Sequence, residues 1–416
     1  MSESTLINEI AKLKASGSSG GGSLAPHSQG ISPISTANLI VGSSQYTTSR
    51  SYFVQSSSSY RAMFNLGNGQ FAAGCRHYLS GTSAAEAYVR PFTVDQNTGI
   101  ITPGSGASGF SSGSNIDTGT WAASGNYVMT QHTSGNSGNT YTGFVVSGNS
   151  VTNTANTSPG ASAQPMSNEN TASIRNGSTM YMYGQVYNSS DGRFRRSCAQ
   201  FNGSSVSMSE NSDPSSNTST TYSWPVAPQF GYTSPNTYAG IRSWQNSSGN
   251  QILDILNNTG SYVSQVTGAT VGSMGSDPSQ GFGLELSNGR QLFYQADGRS
   301  ILLNNGGTLS NVTATADWVP NVRDNSITTI WPVATDTWVT VSKNPFELIK
   351  FSVNPTTYKV TIIKTAFLGN YDIAINSYSN SMPFTSMTGS NNQYLVIGTW
   401  QSYAPFMVVS VFPTPF

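Results

Sequence analysis

One short pattern of apolar and polar positions returns seven times along the chain: NGQFAAGCRHY at 68–78, GNYVMTQH at 125–132, STMYMYGQVY at 178–187, NTYAGIRSW at 236–244, GRQLFYQAD at 289–297, TDTWVTVSK at 335–343 and NNQYLVIGTW at 391–400. The first large apolar residue of each copy is Phe71, Tyr127, Met180, Tyr238, Leu292, Trp338 and Tyr394, so successive copies are 46 to 58 residues apart. Runs of this length, rich in β-branched and aromatic residues and bounded by Gly, Asn and Ser, predict strands. A recurring period averaging about 54 residues predicts a repeat architecture.

Around each copy the surroundings repeat as well. A short apolar strand and a tight polar turn precede it, as in YRAMFNL with GNG or GFGLELS with NGR. A third strand, a second tight turn and a fourth strand follow, as in YVRPFTV, DQNTG and GIIT. Asn68-Gly69 and Asn288-Gly289 are the dipeptides expected to supply positive φ in two-residue hairpins. Four antiparallel strands repeated radially describe a propeller blade. The predicted fold class is therefore all-β: a single closed β-propeller of about seven four-stranded blades. The seventh unit, ending in PFMVVSVF near Phe416, lacks a fourth strand. A strand from the N-terminal side, Asn38 to Val41 or Tyr52 to Gln55, is expected to fill that place and remove the open sheet edges.

Before this domain, Ser4 to Ala15 (STLINEIAKLKA) places Leu6, Ile7, Ile10 and Leu13 on one face of a short helix. Ser4 suits its N-cap, and Glu3, Lys12 and Lys14 complement its dipole. Such a short helix is marginal alone and needs a surface to pack on. SGSSGGGS at 16–23 has linker composition. The expected organisation is an attachment helix at 1–16, a linker at 17–37 and the propeller at 38–416.

Composition changes the picture in what it excludes. Lys and Arg total 18 and Asp and Glu total 18, so the formal net charge is zero. Nucleic acid is not an expected partner, because phosphate binding needs a basic face. Arg193, Arg195 and Arg196 read as a solvated strand face. Only 9% of residues are charged, yet 11% are aromatic, which argues for a folded β protein over a disordered one. No stretch approaches a membrane span, and Met1 to Ser16 lacks the apolar core of a signal peptide. The two cysteines, Cys75 and Cys198, fall in different repeats and are expected as buried free thiols.

Catalytic signals are sparse. His27, His77 and His132 make a poor metal set, and no cofactor or metal is expected. Glycoside chemistry needs two carboxylates about one bond; Asp95, Asp191 and Asp297 fall in turns and Glu285 stands singly in a strand. GSGASG at 104–109 is read as Gly/Ser loop. The Asn/Asp runs at 188–192 and 324–326 offer oxygen ligands but match ordinary turns. The expectation is a protein that is not an enzyme. Long Ser/Gly/Asn-rich loops are expected at 102–117, 133–140, 154–170, 209–228 and 245–250, all on one face, with tight turns on the other. The most aromatic of them brings Tyr222, Trp224 and Tyr232 near Trp244, a set that suits covering the seams between blades and, alternatively, stacking on sugar rings.

In its Ser/Thr/Asn/Gly-rich β repeats, scarce charge and attachment segment ahead of a distal β domain, the chain resembles bacteriophage tail and fibre proteins. That resemblance implies a virion protein made in the host cytoplasm. Its arm (Leu6, Ile7, Ile10, Leu13) would dock on other virion subunits, and its propeller would face a host-surface glycan. The alternative is a carbohydrate-binding propeller, or a polysaccharide-degrading enzyme.

Overall fold

The computed structural model describes residues 31–40, 63–78, 85–112, 116–134, 139–157, 163–165, 172–188, 193–211, 224–226, 228–229, 238–245, 251–266, 282–294, 300–316, 330–342, 347–368, 384–400 and 406–416. Every named element among them is a β-strand. The strands form seven sheets, each of four or five strands, and the architecture is a β-propeller.

The second sheet shows the plan: Ile116–Ser124, Tyr127–Ser134, Asn139–Ser147 and Ser150–Thr157 pair antiparallel in chain order. Each of the seven sequence repeats supplies an internal strand of one sheet, from Gln70–Tyr78 to Tyr394–Trp400: the second in six sheets and the third in the fifth, where Pro228–Gln229 is added at the inner edge. Fourth strands such as Ser150–Thr157 are largely exposed, which places them at the outer edge and the first strands at the inner one. Six of the seven large residues that mark the repeats, Phe71, Tyr127, Met180, Leu292, Trp338 and Tyr394, are buried, and Tyr238 is half-buried.

Their burial is mutual, because each hydrophobic cluster draws on two consecutive sheets. Phe64, Ala72 and Val89 of the first pack with Val128 and Phe144 of the second. Met129 and Tyr141 of the second meet Met180 and Phe201 of the third. The series continues to the last pair, where Val396, Val409 and Val411 pack against Phe71 and Phe92 of the first sheet. A blade is apolar on both faces, so none can hide its surface without neighbours on either side.

The strand that completes the last sheet is Ser35–Ile40, paired antiparallel with Phe406–Pro413 from Ser35↔Val411 to Ile40↔Phe406. It begins at Ser35, inside the stretch expected as linker, and Leu39 is fully buried in the cluster between the last and first sheets. Tyr52 to Gln55, the other strand expected for this place, lies outside the described residues, as does the helix expected at 4–15.

Seams between sheets share one device at the tight-turn end. Tyr127, Tyr181, Tyr238 and Tyr394, near the starts of second strands, lie against Gly203, Gly260, Gly307 and Gly99. Each of these glycines sits in the turn between the third and fourth strands of the next sheet around. The Tyr238 hydroxyl donates to the Asn305 carbonyl at 3.2 Å, and that of Tyr394 donates to the Asn97 carbonyl.

Three stretches expected as loops contain paired strands. Ala107–Ser112 pairs with Ala85–Val94, Ala163–Pro165 with Thr179–Asn188, and Trp224–Val226 with Tyr238–Gln245. Sparse apolar residues hid them, because a strand paired at an edge needs backbone partners more than hydrophobic side chains. Of the two hairpin dipeptides, Asn68-Gly69 has φ of 51° and 73°, whereas Gly289 alone of the other pair is in the left-handed region. Asn288 acts instead through its side chain, accepting from the Arg290 amide at 3.0 Å and donating to the Pro355 carbonyl at 2.7 Å.

Candidate functional site

Second strands run away from the tight turns, so their far ends define a face opposite those turns. Trp224 and Trp244 belong there. Trp224 opens the innermost strand of the fourth sheet and pairs with Ser243; Trp244, near the end of the adjacent strand, pairs with Ile252. Two tryptophans separated by a long excursion in sequence thus come to neighbouring strands at one end of one sheet. Their registers differ by one position, so they fall on alternate faces of the sheet and offer two separate contacts, not one stacked pair. Directly after this strand, Pro228–Gln229 pairs in parallel with Gly283 and Leu284 of the fifth sheet. Trp224–Val226 and Pro228–Gln229 therefore lie at the inner edges of two sheets. Tyr222 and Tyr232, the other two aromatics expected in the set, lie outside the described residues. So do Leu6, Ile7, Ile10 and Leu13, and so do His27, Asp191, Asp297 and 324–326.

The inner strand that receives this segment carries Glu285, which stands directly opposite Gln291 in the register. Leu284 and Leu286 on either side pack toward the sixth sheet, so by alternation Glu285 faces the fourth. Gln291, 1% exposed, donates from Nε2 to the Tyr238 carbonyl at 2.8 Å. That bond fixes the amide orientation and leaves Oε1 as an acceptor. Gln291 Oε1 and Glu285 Oε2 are both buried without a hydrogen-bond partner among the described residues. Desolvation pushes the Glu285 carboxyl up to about 7, which favours the neutral acid.

Between its unfolded value near 4.5 and about 7 the folded protein holds a proton that the unfolded chain releases. Stability from this group is therefore complete below about 4.5 and is lost as pH rises through about 7. The expected result is a melting temperature that falls by a few degrees more between pH 5 and pH 8 in the native protein than in Glu285→Gln. The glutamine variant brings its own N–H donor and no charge. Calorimetry at both pH values checks this, and equal slopes would remove Glu285 as the cause.

Other polar groups have structural partners. Asp95, expected in a turn, accepts from the amides of Asn97 and Thr98 at 3.0 and 2.8 Å, and these bonds hold its carboxyl below the usual range, led by Thr98. Asp336 clips the sixth sheet to the fifth by accepting from the amide and hydroxyl of Ser287. Asp254, in the middle of the apolar run ILDIL, is fully buried and stands opposite Arg242 in the register. A carboxylate inside an apolar strand was the signal that sequence reading passed over. Cys198 is a buried free thiol, pushed up by desolvation. Cys75 lies opposite Tyr88 in the first sheet, while Cys198 lies in the third. Among the described residues no three His, Cys, Asp or Glu side chains group as metal ligands, and no helix is long and apolar enough to cross a membrane.

No family model matches the sequence and no curated protein matches it. Solved structures of similar shape exist at low identity. The periplasmic gluconolactonase of Pseudomonas aeruginosa is 11% identical over 72% of this chain and 83% of its own, with a TM-score of 0.41. The α-L-arabinanase of Penicillium chrysogenum is 10% identical over 93% and 99%, with a TM-score of 0.41. The polysaccharide lyase Uly1 is 8% identical over 89% and 93%, with a TM-score of 0.44. These are likenesses of shape. The three are a lactonase, an arabinanase and a lyase; the expectation that the chain is not an enzyme is withdrawn, because a propeller fold by itself gives no ground for excluding catalysis.

Proposed function

We propose that this protein is a carbohydrate-recognising propeller whose seven sheets close as seven blades, with its sugar contacts on the face opposite the tight turns. The observation that carries this reading is the placement of Trp224 and Trp244 on adjacent inner strands at that face. The strand bearing Trp224 leads straight into the segment lining the next inner edge. Sugar rings stack on aromatic faces, and the Ser- and Asn-rich stretches around these strands supply donors and acceptors for hydroxyls. Rigid strands holding such residues beside variable connections are the usual setting for recognition.

The full chain, assayed against a panel of soluble polysaccharides by calorimetry and by release of reducing ends, tests the reading. Trp224→Ala and Trp244→Ala are each expected to weaken binding about tenfold, roughly 1.4 kcal/mol, with melting unchanged. Binding without release makes the protein a lectin; release makes it a polysaccharide-degrading enzyme. Absence of binding across the panel overturns the proposal. The virion setting is a second proposal about location: its support is the amphipathic pattern at 4–15 ahead of the β domain. Co-sedimentation with particles in fixed stoichiometry tests it, and a protein found only in the soluble fraction removes it.

A further inference from the structure

Among the described residues, three of the five exposed large hydrophobic side chains lie on one outer strand, and the other two, Ile34 and Ile100, stand singly. Ser150–Thr157 reads SVTNTANT, whereas Val360–Phe367 reads VTIIKTAF. Ile362, Ile363 and Phe367 on that strand are 42%, 52% and 45% exposed. An apolar outer edge is a hazard that proteins ordinarily blunt, so something is expected to cover it.

Strand addition by a second copy is disfavoured by the edge itself. The register slips where Lys350 pairs with Lys364 and Phe351 with Ile362, leaving Ile363 as a bulge. A bulge and a central lysine spoil a straight hydrogen-bonding edge. The bulge also brings neighbouring isoleucines outward together. What the strand presents is a side-chain surface. Lys364 is turned to the C-terminal residues, donating to the Pro415 carbonyl at 2.6 Å, and stands 5.9 Å from the Phe416 ring centre.

The start of the described chain lies beside the same strand, on the side turned to the seventh sheet. Ile31 packs on the cluster between the sixth and seventh sheets, the cluster that Ala366 of this strand and Phe416 also join. Upstream of Ile31 the sequence holds the linker-like stretch 16–30 and the apolar face at 4–15. A coil of that linker length spans roughly 20 Å. A twelve-residue helix is about 18 Å long, shorter than the strand at about 26 Å. A helix that needs a surface and an apolar strip that needs a cover are thus within reach of each other in one molecule.

We propose that residues 4–15 of the same chain dock on the outer strand Val360–Phe367, with Leu6, Ile7, Ile10 and Leu13 covering Ile362, Ile363 and Phe367. Any partner subunit using those four side chains has to displace them from this strand. The inference does not depend on sugar binding.

Hydrogen exchange on the full chain tests it. Amides of 4–15 are expected to be protected at least tenfold, equally at low and high protein concentration, and to lose that protection in the triple variant Ile362→Ser, Ile363→Ser, Phe367→Ser. Protection of Ser35–Ile40 in the same samples reports whether the propeller is intact. A second variant, Leu6→Ser with Ile10→Ser, leaves the propeller untouched and is expected to expose the amides of 360–367. Unprotected 4–15 in the native chain overturns the proposal, and so does protection that survives both variants. Protection that grows with concentration assigns the strip to the arm of a second copy and overturns it too.

Discussion

Deleting residues 31–40 is expected to lower the melting temperature of the whole domain by well over ten degrees and to make the remainder aggregate on heating. The deletion removes six paired positions from Ser35↔Val411 to Ile40↔Phe406, and it empties the place of Leu39, which is fully buried. Leu39→Ala alone should cost about 2–5 kcal/mol from lost burial and the cavity left behind. Against a total of roughly 5–15 kcal/mol for an ordinary domain, either change is large. The deletion is worse for a topological reason. In an open stack the last sheet would end in an unpaired strand, Phe406–Pro413, whose Met407, Val409 and Val411 are fully buried. Scanning calorimetry with light scattering checks this. A deleted chain that melts like the intact one would mean the closure strand adds nothing to the ring.

Gly104→Ala is expected to be the most damaging single methyl addition in the described chain, costing about 2–4 kcal/mol. The backbone at Gly104 is not left-handed, so conformational freedom is not the issue. A Cβ there would lie 2.0 Å from the carbonyl oxygen of Asn149 and 2.6 Å from its carbonyl carbon. Those are main-chain atoms of the neighbouring sheet's turn, and they are pinned, since the Ser105 amide donates to the same Asn149 carbonyl at 2.7 Å. Relief requires separating two sheets. Gly148, one residue before Asn149, is the informative contrast. Its φ is +54°, yet nothing stands within 4 Å of its would-be Cβ. Gly148→Ala should therefore cost only the strain of the left-handed conformation, about 1–2 kcal/mol. Chemical denaturation of both variants checks the order, and equal losses would mean that the inter-sheet contact costs no more than the backbone strain.

These two cases show how far local pattern reaches. The stretch 104–109 reads as Gly/Ser loop, and its composition contains nothing to indicate a seam. In the structure Gly104 meets the next sheet's turn, Gly106 lies against Tyr88, and Gly109 against Phe144. A glycine chosen for close approach looks the same in sequence as one chosen for a turn. Trp224 and Trp244 were legible as an aromatic set, but their place on adjacent strands depended on pairing that sparse apolar residues did not announce. Glu285 was visible only as a lone carboxylate. Its raised pKa arises from desolvation, which the packing of sheets around its strand imposes.

What the sequence determined by itself was the local grammar: which segments are strands, where the tight turns fall, and that the unit repeats. Alternation and turn chemistry depend on residues a few positions apart, so they survive without knowledge of the fold. Tertiary structure decided what joins residues hundreds of positions apart. It chose Ser35–Ile40 to pair with Phe406–Pro413, set the backbone of one sheet against the turn of the next, and left Val360–Phe367 as an apolar outer edge. Those outcomes follow from closing a ring in which every sheet must bury both faces, a condition that no short stretch of sequence carries.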